Sequence, residues 1–562
     1  MLLLYVFVLF SATYAQDALV NTTQGQVQGA LATDGNYYVF YGVHYAGSSS
    51  GANRFKAPTP PAQYPGVFHA VDNSIVCAHP TPRGIVGVED CLVLNIHTRN
   101  MTTPKPVMVF LLGDDYTTTD TKIYSFSKLV LADVVVVTIN YRLSIFGFLC
   151  LGVPDAPGNA GLKDVVQGLT WIRDNIAGFG GDPNNVVLFG HGSGAAMVDL
   201  ITMSPLAQNL VHKAITQSGS ALAPWAIAYE PVQYARVFAE KLSYSGDTTE
   251  ELARKLAATD ISLLSVALQD SSFYNNSALF APCLENKALN DTFITEAPIN
   301  LLRAGNYSHI PYIAGFTDRE GTIRAAQAVN DDWLAAMQAN FTNFVQVDLA
   351  FDSIENKTAV ANDIKQNYFA ARPVSMETIR DYLNYHGDTM ITVSVIRGVR
   401  ERALTSRAEV RLLEFTYRGT RNSDWIYHQI PNDGVWHGGV LNYVFDYDLK
   451  PEDESARASL VGRYVVFANT GVPQWNATQQ TMWSPVTTTI LNYINYNGDS
   501  STSLVNFGEA ARANPHEAIM NYWNNLYSIY YKPPVSVFVS SADKVISVAF
   551  VLLLSQFVQR LL

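Results

Sequence analysis

The chain lacks several features that would point directly to a function. It contains 37 Lys and Arg residues against 49 Asp and Glu residues, which gives its 562 residues a net charge of −12 and no excess of positive charge. No P-loop, dinucleotide-binding fingerprint or cluster with metal-ligand spacing occurs in it. The acidic balance disfavours nucleic acid as a partner, and the missing motifs predict neither a cofactor nor a metal.

The body of the chain also lacks internal repeats, charge runs and linkers rich in Pro, Gly or Ser. Hydrophobic residues make up 48% of the chain, which is enough for one large core. Short apolar runs that are typical of β-strands alternate with helical stretches, and they cover residues 107–112, 134–139, 186–189, 310–314 and 410–415. This alternation predicts an α/β fold in one large domain.

The most informative motif lacks its central residue. An apolar run ending at Phe189 leads into Gly190-His191-Gly192-Ser193-Gly194, which is the setting of a G-x-S-x-G nucleophile elbow between a strand and a helix. Gly192 stands where the serine belongs, so we interpret it as a lost nucleophile position. Ser193 is an alternative nucleophile, but centring the motif on it would place the bulky His191 where close backbone packing favours glycine.

Five further motifs carry a family resemblance over about residues 20–530; they lie at residues 89–95, 140–149, 156–164, 175–183 and 217–220. Among them are Glu-Asp-Cys-Leu-Val-Leu-Asn and Ala-Pro-Gly-Asn. Through these motifs the chain resembles the type-B carboxylesterase and cholinesterase family. It is most similar to the cholinesterase-like adhesion proteins without a catalytic serine, such as the neuroligins, neurotactin, gliotactin and glutactin. The resemblance implies an α/β-hydrolase fold, with a large, mixed and mostly parallel central sheet and helices on both faces.

The same resemblance assigns the remaining site residues. Glu320 matches the acid and His437 the base of a vestigial triad, in the chain order of α/β-hydrolases. The oxyanion-hole positions correspond to Gly113, Asp114, Asp115 and the backbone of Ser193. Because the family has glycines where the two aspartates stand, and because a carboxylate repels a developing oxyanion, we expect a defective hole.

Four cysteines suggest one or two disulfides. The resemblance implies a bridge between Cys77 and Cys91. Cys150 and Cys283 match no bridge of the family, so we expect two buried free thiols there, with a mutual disulfide as the alternative. The resemblance also implies two ion pairs that hold the fold, Arg54 with Glu89 and Arg142 with Asp164.

Both ends of the chain suggest the secretory pathway. Residues 1–15 are typical of a signal peptide, although a basic leading segment is missing, and residues 16–530 form the predicted carboxylesterase-like domain. Residues 531–544 are predicted as a short stalk, in which Ser540, Ser541 and Ala542 are candidate sites for a GPI anchor, and residues 545–562 as a hydrophobic tail. A short spanning helix and a buried tail are the alternatives. Eight N-x-S/T sequons agree with secretion, at Asn21, Asn100, Asn275, Asn290, Asn306, Asn340, Asn356 and Asn476.

A predicted helix over residues 516–528 carries Ile519, Trp523 and Leu526 on one apolar stripe. In the family such a helix forms a homodimer interface; the alternative is that it packs on its own domain. Taken together, these patterns favour a catalytically inactive, membrane-tethered glycoprotein that acts in adhesion or recognition through an extracellular protein partner. A divergent ester hydrolase that uses Ser193 with Glu320 and His437, and a pseudoenzyme that binds a small molecule, are the alternatives.

Overall fold

A central sheet of eleven strands dominates the computed structural model, which describes residues 18–81, 84–113, 115–118, 120–269, 278–420, 427–445, 449–474, 481–498 and 507–538. The strands are β1 Leu19–Thr22, β2 Gly25–Gln28, β3 Ala30–Leu31, β4 Tyr38–His44, β5 Phe68–His69, β6 His79–Thr81, β7 Gly84–Val86, β8 Val93–Thr98, β9 Lys105–Leu111, β10 Val135–Ile139, β11 Gly181–His191, β12 Lys213–Gln217, β13 Tyr312–Thr317, β14 Val410–Phe415, β15 Asn492–Asn497 and β16 Gly508–Ala513.

The helices flank this sheet. They are α1 Ser127–Leu131, α2 Ser144–Phe148, α3 Ala160–Asn175, α4 Ser193–Met203, α5 Pro231–Lys241, α6 Thr249–Ala258, α7 Ile261–Gln269, α8 Pro298–Ala304, α9 Ala325–Asn330, α10 Trp333–Ala339, α11 Ile354–Phe369, α12 Ile379–Gly387, α13 Val393–Thr405, α14 Leu441–Phe445, α15 Glu454–Thr470 and α16 Glu517–Tyr530.

The strand order of the large sheet is β16-β15-β14-β13-β12-β11-β9-β10-β8-β4-β3. The seven strands from β15 to β10 are parallel to one another, whereas β16 at one edge and β8, β4 and β3 at the other are antiparallel to their neighbours. This mixed, mostly parallel sheet confirms the predicted fold class. In such sheets, functional residues gather beyond the carboxyl ends of the parallel strands.

Two hydrophobic clusters cover the two faces of the sheet, because side chains alternate along each strand. In β9, Val107, Val109 and Leu111 belong to one cluster, whereas Met108 and Phe110 belong to the other. The parallel strands are therefore apolar on both sides, and this explains why they occur in the sequence as continuous hydrophobic runs.

Two disulfides tie loops to this core. Cys77 is bonded to Cys91, the pair that the resemblance implies. Cys150 is bonded to Cys283, so the expectation of two free thiols was wrong and the alternative is correct. The physical reason is the loop before α3: the Asn159 side chain accepts from the Cys283 N–H at 2.8 Å and donates to the Cys283 carbonyl at 2.9 Å, and so holds this distant segment beside Cys150.

Both predicted ion pairs are confirmed. Arg54 contacts Glu89 and Arg142 contacts Asp164, each with a shortest nitrogen–oxygen distance of 2.5 Å. Arg142 also donates to the carbonyl oxygens of Asn53 and Arg54, so it fastens the early loops to the start of α3. An ion pair this deeply buried stabilises only when its remaining donors are also satisfied, and these bonds meet that condition.

The C-terminal helix α16 packs on its own domain. It buries Met520, Trp523, Leu526 and Tyr527, and Trp523 is fully enclosed. Two of the three stripe residues, Trp523 and Leu526, therefore pack within the chain, which fits the alternative of packing on its own domain, whereas Ile519 is half-buried; the homodimer interface stays a prediction. After α16, the backbone N–H of Lys532 donates to the Asp348 carbonyl at 2.8 Å. Of the helices described, none has the length and apolar character needed to cross a membrane.

Candidate functional site

The strand-to-helix turn of the predicted elbow lies at the carboxyl end of β11. Gly192 joins β11 to α4 with φ 57° and ψ −124°, a combination that a residue with a side chain adopts only under strain. Its N–H donates to the Gln217 carbonyl at 2.9 Å. A Cβ atom built on Gly192 would lie 3.5 Å from Nε2 of His437, so a side chain at this position would point at the histidine.

The two glycines that flank this position have no room for side chains. A Cβ on Gly190 would lie 2.3 Å from the Gly194 carbonyl oxygen, and a Cβ on Gly194 would lie 2.2 Å from the Leu111 carbonyl oxygen. Heavy atoms cannot approach so closely, so both positions require glycine. This packing supports the frame in which Gly192, rather than Ser193, occupies the nucleophile position.

Glu320 and His437 form a hydrogen-bonded pair beside Gly192. Glu320 begins a short 3-10 helix after β13, and its Oε2 lies 2.6 Å from Nδ1 of His437. The other carboxylate oxygen accepts from the Ser218 hydroxyl at 2.6 Å and from the Thr317 N–H at 2.7 Å. Glu320 is only 2% exposed, and these hydrogen bonds offset the desolvation cost of burying its carboxylate. Together they orient the imidazole so that Nε2 faces Gly192.

The hydroxyl of Ser193 has a different partner. Its oxygen accepts a hydrogen bond of 3.0 Å from the backbone N–H of Tyr116. A Cβ on Gly113 would lie 2.4 Å from this oxygen, so the hydroxyl packs against the loop that follows β9. Ser193 is 3% exposed, and its role in this arrangement is to hold that loop. Its partner lay too far away in the sequence for any local motif to indicate it.

The loop that the resemblance identified with the oxyanion hole carries a charge. Asp115 and Tyr116 have φ angles of 46° and 61°, which is the left-handed region that glycine adopts without strain. The Asp115 carboxylate is about half exposed and lies 3.6 Å from the Arg324 guanidinium. This ion pair links the loop to the 3-10 helix that begins with Glu320. Sequence reasoning missed Arg324, although a basic residue four positions after the candidate acid was a visible signal.

The imidazole ring of His191 packs against that of His437. The two ring centroids are 4.6 Å apart, and His191 is 6% exposed. Burial lowers the pKa of His191 well below its usual value, and the nearby His437 lowers it further. His191 is therefore a neutral, buried residue at pH 7. None of the described residues forms a group of three or more side chains able to hold a metal ion.

The asparagines of the predicted glycosylation sequons differ in solvent exposure. Asn21, Asn100, Asn290, Asn306 and Asn340 are exposed, and Asn356 is half-buried. Several predicted positions lie outside the described residues: Asp114, Asn275, Asn476, Ser540, Ser541, Ala542, the signal peptide and the hydrophobic tail.

Comparisons with known proteins agree with this architecture. The model of the carboxylesterase family matches residues 16–520. A carboxylic ester hydrolase of Bombus ignitus is 31% identical over 84% of this chain and 89% of its own length. Neuroligin-2 of Mus musculus is 30% identical over 62% of this chain and 47% of its own. The crystal structure of juvenile hormone esterase from Manduca sexta superposes with a TM-score of 0.81 and 25% identity, covering 91% of this chain and all of that one. The chain therefore belongs to the carboxylesterase family.

Proposed function

We propose that this protein is a member of the carboxylesterase family that no longer hydrolyses esters and acts at the cell surface in adhesion or recognition. The observation that carries the proposal is Gly192, which occupies the nucleophile turn while its neighbours Glu320 and His437 keep the geometry of an acid and a base. A base without a nucleophile beside it cannot form the covalent intermediate on which this class of ester hydrolysis depends.

The loop after β9 supports the same proposal. Stabilisation of an oxyanion requires backbone N–H groups aimed at the developing charge. Here the Asp115 carboxylate brings negative charge to that loop, and its pairing with Arg324 occupies the loop with a structural contact. A site that lacks its nucleophile and carries an opposing charge at the hole has two independent obstacles to catalysis.

The cellular setting is part of the proposal. The secretory signal, the sequons and the candidate anchor at Ser540, Ser541 and Ala542 would place the domain on the extracellular face of the plasma membrane. Neuroligin-2 among the relatives fits a role in which the surface of the domain binds another extracellular protein. Release of the protein from intact cells by phosphatidylinositol-specific phospholipase C would support GPI attachment; retention after this treatment would refute it.

Covalent labelling tests the loss of catalysis. The purified protein is treated with a fluorophosphonate probe and analysed by intact mass, with an active carboxylesterase as the positive control. We expect no adduct. An adduct that disappears in Ser193→Ala would establish the alternative, a hydrolase that uses Ser193, and would overturn the proposal. Measurable turnover of a short-chain ester that is abolished by His437→Ala would overturn it as well.

The recognition role needs its own assay. Cells that express the full chain on their surface are mixed with unlabelled cells and scored for aggregation, and the extracellular domain is used as bait for cross-linking of cell-surface proteins. We expect a partner whose binding does not change in His437→Ala. If that substitution abolished binding while the fold stayed intact, the partner would use the former catalytic pocket, and a surface-mediated role would be refuted.

A further inference from the structure

A cleft of about 900 Å³ lies away from the candidate site, between the end of α4 and the segment that follows α8. Its volume is in the range of cavities that hold small ligands, about 300–1,000 Å³. Its lining is unusual in one respect. All three residues of the sequon Asn306-Tyr307-Ser308 belong to its wall, and so does Thr292, the third residue of the sequon that begins at Asn290.

The backbone fixes the position of Asn306 on this wall. Helix α8 ends at Ala304 and is followed by Gly305, whose φ of 70° is the left-handed conformation that commonly terminates a helix. The Asn306 N–H then donates to the Leu301 carbonyl at 2.9 Å, and the Ser308 N–H donates to the Thr202 carbonyl at 2.7 Å. The sequon is therefore pinned at both ends. The Asn306 side chain is exposed, so it is free to carry a substituent at the lip of the cleft.

We propose that the cleft is occupied by the chain's own N-linked glycan, which is attached at Asn306 and binds in the cleft through its first sugars. The lining also includes hydrogen-bonding side chains, among them Gln208, Asn209 and Thr295, that suit the hydroxyl and acetamido groups of N-acetylglucosamine. Attachment at the lip makes the contact intramolecular, with an effective concentration on the order of millimolar. Sugar contacts that would be too weak to hold a free ligand are then sufficient. The glycan at Asn290 would enter at the rim, beside Thr292.

A glycan in this cleft would change which parts of the surface a partner can reach. It would close the cleft to small ligands and to protein partners. A partner must then bind elsewhere. The inference depends on passage through the secretory pathway, which is part of the proposed function, but it makes a separate claim about one sequon.

Site-specific mass spectrometry of the full chain, produced in a secretory cell line, tests it. Asn340 is the matched control, because it is exposed at the end of α10 and does not line the cleft. We expect a peptide N-glycosidase to release the Asn306 glycan from the native protein about tenfold more slowly than the Asn340 glycan, a protection that corresponds to about 1.4 kcal/mol. The two rates should become equal after denaturation. We also expect less-processed, oligomannose chains at Asn306.

Variants distinguish binding of the glycan in the cleft from nonspecific steric protection against the glycosidase. Gln208→Ala combined with Thr295→Ala should raise the release rate at Asn306 toward that at Asn340 and leave Asn340 unchanged. Asn306→Gln and Ser308→Ala should lower the melting temperature equally, whereas Ser308→Thr, which keeps the sequon, should not. Equal native release rates at Asn306 and Asn340, or an empty Asn306 on a protein glycosylated elsewhere, would overturn the inference alone. If no sequon carried a glycan, the extracellular location would fall together with it.

Discussion

Gly192→Ser should place a serine beside His437 and Glu320 in the geometry of a catalytic triad, but it should not produce an efficient enzyme. A Cβ at this position lies 3.5 Å from His437 Nε2 and 3.3 Å from the Gly113 carbonyl oxygen. A hydroxyl on that carbon can therefore reach the range of about 2.6–3.2 Å in which a base activates a nucleophile. The first expected result is a covalent adduct with a fluorophosphonate at position 192, absent from the unmodified protein.

The same variant should be less stable. At φ 57° and ψ −124°, a residue with a side chain stores about 1–3 kcal/mol of backbone strain. We expect Gly192→Ala, which adds the strain without the hydroxyl, to lower the melting temperature by about as much as Gly192→Ser. If neither variant lowered it, the turn would be relaxed for any residue, and the strain argument for glycine at this position would be wrong.

Turnover should remain low because of the loop after β9. The two aspartates keep their backbone N–H groups, but an N–H that is not aimed at the oxyanion is equivalent to a lost donor, which costs about 10²–10³ in rate. The Asp115 carboxylate adds a repulsion that its ion pair with Arg324 offsets only in part. We therefore expect Gly192→Ser alone to hydrolyse a short-chain ester at least about 10²-fold more slowly than a variant that also carries Asp114→Gly and Asp115→Gly. His437→Ala in the same background is the control for triad chemistry. Equal turnover by the single and triple variants would refute the view that this loop spoils the hole.

Two further predictions concern stability. Replacing Cys150 and Cys283 by alanine should destabilise the protein more than replacing Cys77 and Cys91. The Cys150–Cys283 bridge spans 133 residues and the Cys77–Cys91 bridge 14, and the loss of chain entropy in the unfolded state predicts stabilisations of about 5 and about 3 kcal/mol. Melting temperatures measured under non-reducing conditions check this order. Equal losses of stability in the two variants would contradict the entropic account. Burial raises the pKa of Asp388 to about 6, although Tyr368 and His516 oppose the shift. A raised pKa means that the contribution of Asp388 to stability is complete below its ordinary pKa near 4 and is lost as the pH rises through 6. Asp388→Asn keeps an acceptor for the Tyr368 hydroxyl, so it should gain on the order of 3 kcal/mol over the unmodified protein between pH 4 and pH 7. Parallel melting-temperature curves for the two proteins across this range would contradict the assignment.

Features that depend on local sequence could be predicted before the structure. The parallel strands appear as apolar runs because both of their faces are covered, and β14 spans the predicted residues, Val410–Phe415. The elbow could be placed because its two glycines flank the turn at a fixed spacing, although only the contact of Gly190 with Gly194 is local and Gly194 packs against the distant Leu111. The ion pairs of Arg54 and Arg142 were expected from the family resemblance, and the structure contains both.

Features that depend on distant contacts could not be predicted. The Cys150–Cys283 bridge depends on Asn159, which holds a segment more than a hundred residues away. The engagement of Ser193 by Tyr116 depends on how the loop after β9 folds over α4. The stripe on α16 was visible in the sequence, but whether it faces its own domain or a second chain is decided by which surfaces remain uncovered once the domain has folded.

The presence of the Glu320–His437 pair beside Gly192 has a structural explanation that can be tested. Three donors converge on Glu320, from Ser218, Thr317 and His437, and each buried donor left without a partner costs about 1–3 kcal/mol. Glu320→Ala should therefore destabilise the protein by several kcal/mol, and by clearly more than His437→Ala, which leaves Glu320 with two of its donors. Glu320→Gln, which keeps an acceptor for part of this set, should fall between them. If Glu320→Ala melted no lower than His437→Ala, the carboxylate would not be holding this loop together. Its presence beside Gly192 would then have to be explained by chemistry.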